Sequence, residues 1–222
     1  MQKQKKLLVL LLVATLFGCA GGPSRKVYSP EEKPAAAAEA MQDGDYQLAA
    51  SLYSQLAATV PPPKGYEYRY LAAKALFHAG LLNQASEQLQ LLPERKLPLD
   101  LRMRVQLLSA EIPLKRDPDL ALSILNAPVV RENMLKDGPE LFSQYHLLRA
   151  RAFARVGNHL ETSREYILHE LYLSDEQQIQ NVQMAIWQSL SLLTPQALRQ
   201  LRTQPPPDAL SGWMELVEIS KE

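Results

Sequence analysis

The chain has 222 residues, 46% of them hydrophobic and 22% charged, which is enough for one or two domains with a sizeable core. Its 24 basic residues balance its 24 acidic residues. A net charge of zero gives no general attraction to nucleic acid, so no nucleic-acid partner is expected. A single cysteine, Cys19, excludes an internal disulfide, so packing must supply the stability.

Residues 1–18 have the layout of a secretory signal peptide. Three lysines, Lys3, Lys5 and Lys6, precede an uncharged run from Leu7 to Phe17. That run is shorter than the roughly 20 apolar residues that a helix needs to cross a bilayer. We therefore expect an export signal that is removed, and not a membrane-spanning anchor.

The end of this segment resembles a bacterial lipoprotein box, formed by Leu16, Gly18 and Cys19. In such a box the cysteine becomes the first residue of the mature protein and carries acyl chains such as palmitate. Each buried methylene contributes about 0.8 kcal/mol, so several chains hold a domain at a membrane. In the Gram-negative lipoproteins that this box resembles, the residue after the cysteine directs sorting, and Ala20 in place of aspartate would then imply the periplasmic side of the outer membrane. The alternative is an ordinary signal peptide with an incidental cysteine.

Residues 19–34 are predicted to be a flexible tether, and residues 35–222 a helical domain. The tether is short of apolar side chains and rich in loop-forming residues, namely Gly21, Gly22, Pro23, Ser24, Pro30 and Pro34. Beyond it, apolar residues recur at spacings of three and four, as in Leu71, Ala75, Leu76 and Leu82. Long stretches are rich in good helix formers, which predicts a nearly all-α domain.

Three glycines mark an internal repeat at Gly44, Gly80 and Gly157. Seven residues before each glycine the residue is small, five after it is small, and nine after it is bulky; these are Ala37, Ala73, Ala150, Ala49, Ala85, Thr162, Tyr53, Leu89 and Tyr166. A fourth copy fits with Arg116 in the glycine place and with Ser109, Ala121 and Leu125. The spacing resembles the tetratricopeptide repeat (TPR), which is a helical hairpin of about 34 residues.

Each position of the repeat has a mechanical role. The glycine lets a first helix end in a left-handed turn, and the small residues let paired helices approach closely. Prolines at 61–63, Pro93 and Pro128 are expected to stop second helices, and Pro113 to shorten or kink the third hairpin. We expect a TPR-like helical-hairpin solenoid with extra C-terminal packing helices. The alternative is an irregular helical bundle of similar composition.

Three further helices are predicted after the repeats. Ser174 to Gln177 matches a capping box, followed by one apolar stripe of Ile179, Val182, Ile186, Leu190 and Leu193. Thr194 is expected to cap a short helix that starts at Pro195. Asp208 is expected to cap a last helix, whose buried face holds Leu210, Trp213, Met214 and Val217.

Several stretches of the domain carry a family resemblance. They are LAAKALFHAGLLNQASEQL from residue 71, LLSAEIPL from residue 107, NVQMAIWQSLSLLTPQALRQL from residue 181 and LSGWMEL from residue 210. They resemble the amino-terminal domain of the LpoA/LppC family over residues 66–217. The most specific part is the tail, which matches in identity and spacing at Trp187, Leu190, Thr194, Gly212 and Trp213.

The resemblance implies a function. The family consists of outer-membrane lipoproteins that activate class A penicillin-binding proteins, the synthases of peptidoglycan. A class A penicillin-binding protein is therefore the expected partner. Family members continue into a larger α/β domain that resembles periplasmic ligand-binding proteins and is thought to touch the synthase. These residues contain nothing of it, so we expect a fragment or truncated homologue, or a stand-alone helical lipoprotein.

The sequence shows no catalytic constellation. The histidines His78, His146, His159 and His169 lie in unrelated places, without the H-E-x-x-H spacing of a zinc site. No glycine-rich phosphate loop follows a strand, and the carboxylates are scattered along helices. We therefore expect no metal, no cofactor and no enzymatic activity.

The remaining candidate site is the concave surface of the stack, a common binding face of solenoids. By repeat register, first helices point Tyr70, Lys74, Phe77 and Arg151 toward that surface. Aromatic and arginine side chains suit a protein interface. We take these four as candidate binding residues, the alternative being core packing or ordinary surface.

Two functions follow from these observations. The first is a non-catalytic regulator of peptidoglycan synthesis, tethered to the outer membrane. The second is a general TPR lipoprotein adaptor, serving outer-membrane protein assembly or the recruitment of wall hydrolases. A third class, an enzyme acting on glycan strands, has no supporting residue.

Overall fold

The computed structural model describes residues 27–134, 138–202 and 208–221. The predicted signal peptide, the predicted lipoprotein box with Cys19, and Ala20 lie outside the described residues. Residues 27–29 have no regular secondary structure, residues 30–32 form a turn, and the first helix begins at Lys33. The expected domain start at residue 35 therefore lies inside this helix.

The described residues form a succession of helices. The α-helices are α1 (Lys33–Gln42), α2 (Tyr46–Thr59), α3 (Lys64–His78), α4 (Leu82–Gln90), α5 (Leu99–Glu111), α6 (Pro118–Leu125), α7 (Pro128–Met134), α8 (Pro139–Arg155), α9 (His159–Glu170), α10 (Glu176–Ser191), α11 (Pro195–Arg202) and α12 (Asp208–Ile219). Short 3₁₀ helices span Glu94–Lys96 and Pro113–Lys115. Over the described ranges there is no strand, which confirms the all-α prediction. No helix in those ranges is both long and apolar enough to span a membrane.

Helical hairpins are the building unit of the fold. The pairs are α1 on α2, α3 on α4, α5 on α6 and α8 on α9, and neighbouring hairpins also pack on one another. Gly44, Gly80 and Gly157 adopt left-handed φ angles of 81°, 76° and 75°, as the repeat requires. The TPR-like fold predicted from the glycines and their flanking residues is confirmed.

The turn at Gly80 shows how a first helix ends. The Gly80 N–H donates to the Phe77 carbonyl at 3.0 Å, and the Leu81 N–H donates to the Leu76 carbonyl at 2.9 Å. This pair of bonds is the Schellman motif, which satisfies carbonyls that the helix end would leave without a donor. The same two bonds recur at Gly157, so two hairpins turn in the same way.

Small residues bring the helices of each hairpin together. The predicted small positions are completely buried at Ala37, Ala73, Ala150, Ala49, Ala85, Ala121 and Thr162, each 0% exposed. The bulky positions Tyr53, Leu89 and Leu125 are also buried. Tyr166 is the exception, since it is only half-buried. The packing therefore follows the repeat, except at the last bulky position.

The third hairpin departs from the predicted register in its first helix. Arg116 has a φ of −109°, so no left-handed turn forms there. Instead α5 ends at Glu111 and the 3₁₀ turn Pro113–Lys115 leads into α6, as expected from a proline that shortens the helix. Ser109 is only half-buried, whereas Ala110 is 1% exposed. Assigning Ser109 to the small position was therefore wrong, because the irregular turn shifts the first helix.

The C-terminal helices pack around one apolar cluster, and one predicted cap was wrong. Asp175, not Ser174, caps α10, because its carboxylate accepts the Gln178 N–H at 2.8 Å. Thr194 caps α11 as predicted, accepting the Ala197 N–H at 3.1 Å. The cluster holds most of the two predicted stripes and one residue of α11, namely Val182, Ile186, Leu190, Leu198, Leu210, Met214 and Val217. Of the other predicted residues, Leu193 and Trp213 are half-buried against the cluster, and Ile179 is half-buried outside it. These helices extend the stack beyond its last hairpin.

Candidate functional site

The first helices of three hairpins form a groove. Helix α5 contacts α3 on one side and α8 on the other. Side chains spaced three, four or seven residues apart share a face of a helix, and each helix contributes such a set to the groove. The residues that line this part of the groove are Tyr70, Lys74, Phe77, His78, Arg104, Leu107, Leu108, Glu111, Gln144, Leu147, Leu148 and Arg151.

All four residues that the sequence proposed as a binding surface lie in this groove. Tyr70, Lys74 and Phe77 project from α3, and Arg151 projects from α8. Lys74 and Arg151 are exposed, whereas Tyr70 is 8% exposed and Phe77 is half-buried. The structure therefore brings the four together, with two cations on the rim and two aromatic rings nearer the floor.

The groove continues toward the turns of the hairpins. This second part has a volume of about 630 Å³, against about 190 Å³ for the first. The two parts share Phe77, His78, Glu111 and Arg151. The second part adds Gly80, Leu82, Ile112, Leu114, Lys115, Ala154, Arg155 and Tyr166. We call the two parts together the concave groove.

Positive charge dominates the concave groove. Of the described residues that line it, the charged ones are Lys74, Arg104, Lys115, Arg151, Arg155 and one carboxylate, Glu111. Arg151 lies 3.8 Å from Glu111, and Arg104 bonds at 2.5 Å to Asp100 on its own helix. Among the residues that the structure describes, no carboxylate lies within 4.0 Å of Lys74, Lys115 or Arg155. Lys74, Lys115 and Arg155 therefore have no anionic partner in the part of the chain that the structure describes.

The aromatic groups of the groove are held by packing. Burial raises the pKa of the Tyr70 phenol, and the Arg104 guanidinium 5.5 Å above its ring acts in the opposite direction. Burial likewise raises the pKa of the Tyr166 phenol, against the effect of Arg151. Both phenols therefore stay neutral near pH 7, as hydrogen-bonding and apolar contact groups.

Helices α8 and α9 enclose a buried ionic cluster that sequence reasoning missed. The Nδ1 atom of His146 lies 2.7 Å from the Glu165 carboxylate, and Arg149 donates to the same carboxylate at 2.8 Å. Arg149 also donates to the side chain of Asn126, after the end of α6. His146 and Glu165 are 6% and 5% exposed. The cluster joins the third hairpin to the fourth.

A second buried histidine lies near this cluster on α9. The Nδ1 atom of His169 lies 2.8 Å from the Ser143 hydroxyl and 3.0 Å from the Ser143 carbonyl. A carbonyl only accepts, so Nδ1 carries the proton in the neutral ring. Burial lowers the pKa of His169, the hydrogen bond to the Ser143 carbonyl acts in the opposite direction, and the nearby charge of Arg151 adds a smaller lowering effect.

The sequence analysis did not foresee that His146 and His169 each have a buried partner, Glu165 for the first and Ser143 for the second. Both belong to the α8–α9 hairpin, where residues at similar distances from the turn at Gly157 face each other. Pairing positions across that turn was the signal that could have found them. His78 instead stacks on Tyr46 at 5.2 Å, and His159 begins α9. Within the described ranges, no three His, Cys, Asp or Glu residues are grouped as a metal site requires.

Comparison with known proteins identifies a matching family model and several related proteins. A family model described as "LppC putative lipoprotein" matches residues 45–222. The chain is 29% identical over 222 residues to the penicillin-binding protein activator LpoA of Edwardsiella piscicida, covering 99% of this chain and 30% of that protein. It is 29% identical over 216 residues to LpoA of Serratia proteamaculans, covering 97% of this chain and 30% of that protein.

Solved structures share the fold. Full-length LpoA from Haemophilus influenzae matches with a TM-score of 0.57 at 20% identity, over 76% of this chain and 30% of that one. The amino-terminal domain of Escherichia coli LpoA matches with a TM-score of 0.53 at 23% identity, over 77% of this chain and 74% of that domain. The chain thus spans about 30% of the length of the curated relatives that it matches. Because the family model covers most of its residues, the chain belongs to the LppC family.

Proposed function

We propose that the chain is a non-catalytic regulator that activates peptidoglycan synthesis by class A penicillin-binding proteins. The observation that carries the proposal is the family match over residues 45–222, together with curated relatives named penicillin-binding protein activator. Stacked hairpins with an open concave groove suit a protein that binds another protein. The general adaptor function has no comparable observation in its favour.

The proposed location is the periplasmic face of the outer membrane, with acyl chains on Cys19 as the anchor. The lipoprotein box of the sequence and the lipoprotein family support it. Radiolabelled palmitate fed to expressing cells should label the chain, and a Cys19→Ser variant should carry no label. An unlabelled wild-type chain would remove the anchor from the proposal.

Co-purification tests the partner. The full chain, tagged at its carboxyl end and solubilised from the envelope in mild detergent, should recover a class A penicillin-binding protein, which fluorescent penicillin detects. The matched control is a second tagged outer-membrane lipoprotein expressed at the same level. Recovery of barrel-assembly components or wall hydrolases without a synthase would favour the adaptor function instead.

Activation is measured with purified components. The full chain should raise the rate at which a class A synthase polymerises and crosslinks labelled lipid-linked precursor. The same chain without the synthase should leave the precursor unchanged, as a regulator without catalytic groups requires. An unchanged rate of the synthase at saturating chain would contradict activation.

A further inference from the structure

We propose that the concave groove binds an extended, acidic polypeptide segment that carries at least one large apolar side chain. The inference deepens the proposed function, because it assigns the chemistry of the partner segment to one surface of the regulator. Four properties of the groove limit the kind of ligand that can bind there: its charge, its apolar floor, its length and its shape.

The charge of the groove selects an acidic occupant. Lys74 and Arg155 are exposed on its rim without a carboxylate partner among the described residues, and Lys115 lines the same groove. The whole chain has a net charge of zero, so the positive excess of the groove is not a property of the overall composition. Carboxylates that enter the groove gain a favourable potential from these cations.

The floor of the groove selects an apolar anchor. Phe77, Leu147 and Ile112 line the groove and are half-buried, above the buried side chains of Leu107 and Leu148. An inserted leucine or phenylalanine removes its own surface and the exposed part of these three side chains from water, which is the usual source of affinity at the centre of an interface. Cations around an apolar floor therefore fit a segment in which acidic and apolar side chains alternate.

The span of the groove sets the length of the occupant. Helices α3, α5 and α8 pack side by side, and packed helices lie about 8–10 Å apart. The three helices thus span about 20 Å, which an extended chain at about 3.3 Å per residue crosses in about six residues. A short extended segment is enough to contact every first helix of the groove.

Shape excludes a lipid surface as the occupant. The rim cations Lys74 and Arg151 are exposed, whereas the apolar floor side chains Phe77 and Leu147 are half-buried between the helices. A flat headgroup layer contacts the rim alone and leaves the floor empty. A narrow polypeptide contacts both, so it uses the cations and the apolar floor together.

Fluorescence anisotropy tests the proposal. The probe is a fluorescein-labelled peptide, Glu-Leu-Asp-Phe-Glu-Asp, titrated with the full chain in mild detergent. We expect saturable binding that weakens as salt is added, since salt screens exposed charges beyond about 10 Å. A matched peptide with lysine in place of each acidic residue should not bind. Failure of the acidic peptide to bind at low salt would overturn the proposal.

Charge-reversal variants place the peptide in the groove. Lys74→Glu and Arg155→Glu should each weaken binding about fivefold, because each replaces an attraction by a repulsion. Arg199→Glu makes the same charge change on the exposed face of α11, outside the groove, and should leave affinity unchanged. Equal losses in all three variants would reduce the effect to general electrostatics and overturn the assignment.

Three further outcomes separate this proposal from the proposed function. Soluble disaccharide-peptide fragments of peptidoglycan that displace the acidic peptide, and bind more tightly, would assign the groove to the wall and overturn a polypeptide occupant. Undiminished recovery of the synthase by Lys74→Glu would remove the groove from the interface while leaving the regulator function intact. Peptide binding without any synthase recovery would instead remove the regulator function alone.

Discussion

The left-handed turn at Gly80 predicts how Gly80→Ala changes the free energy of unfolding. The same glycine-to-alanine change can stabilise or destabilise a protein, and the backbone conformation at the site decides which. Gly80 has a φ of 76°, and a Cβ added there would meet no atom within 4 Å. Gly80→Ala therefore introduces no clash, and its cost is conformational. A left-handed L-residue costs about 1–2 kcal/mol, and the stiffer unfolded chain returns about 0.4–1 kcal/mol. The free energy of unfolding should fall by about 1 kcal/mol.

Gly212 supplies a matched control for the same chemical change. It lies inside α12, and a Cβ added there also meets no atom within 4 Å. Alanine in a helix interior is more favourable than glycine by about 0.5–1 kcal/mol. Gly212→Ala should therefore raise the free energy of unfolding, although both variants add one methyl group in open space.

Urea denaturation, followed by far-ultraviolet circular dichroism of the full chain, measures both variants. Gly80→Asn provides a third point, because asparagine tolerates the left-handed region better than alanine and should lose less stability. A Gly80→Ala variant as stable as the wild type would refute the argument from the turn. Equal destabilisation at Gly80 and Gly212 would point to a cause other than backbone conformation.

Three other predictions concern buried positions. Glu165→Ala removes the carboxylate that Arg149 contacts and should lower the free energy of unfolding by about 3–5 kcal/mol in urea, while a loss below 1 kcal/mol would contradict a buried ion pair. Because burial lowers the pKa of His169 below that of the unfolded chain, the unfolded state binds this proton first. Stability should thus fall as the pH drops through about 6.5 toward the lowered pKa, and His169→Asn should flatten that part of the urea-midpoint profile. Ala85 is 0% exposed, so Ala85→Leu should cost about 1–3 kcal/mol, whereas Ala38→Leu on the exposed face of α1 should change the urea midpoint little.

The hairpins could be predicted because their requirements are local. A left-handed turn favours glycine, and a close approach of two helices favours alanine or another small residue. Both residue types therefore recur at fixed spacings along the sequence. The prediction failed at Ser109, because the 3₁₀ turn that follows Ile112 and contains Pro113 is not part of the repeat pattern and changes the offset to the preceding helix. The cap of α10 was misplaced by one residue, because Ser174 and Asp175 are both good caps and sequence alone does not choose between them.

The buried cluster of His146, Arg149 and Glu165 could not be found by motif. Its members lie 19 and 16 residues apart, across the turn of a hairpin, and no periodicity within one helix joins them. Only the pairing of α8 with α9 brings the carboxylate to both partners. The repeat predicts that α8 and α9 form a hairpin. The spacing of the repeat does not show which side chains meet across that hairpin, so such contacts become visible only in the three-dimensional structure.

The concave groove is made by positions that the repeat leaves free. Lys74 and Arg151 both lie six residues before the glycine of their copies, a place where neither helix pairing nor the turn restricts the side chain. The first copy has Ala38 there, exposed and without charge. Small residues and glycines thus fix the shape of the stack, while the free positions give α3 and α8 their cations. Packing does not require positive charge at these positions. The positive charge of the groove therefore indicates that the groove binds a partner.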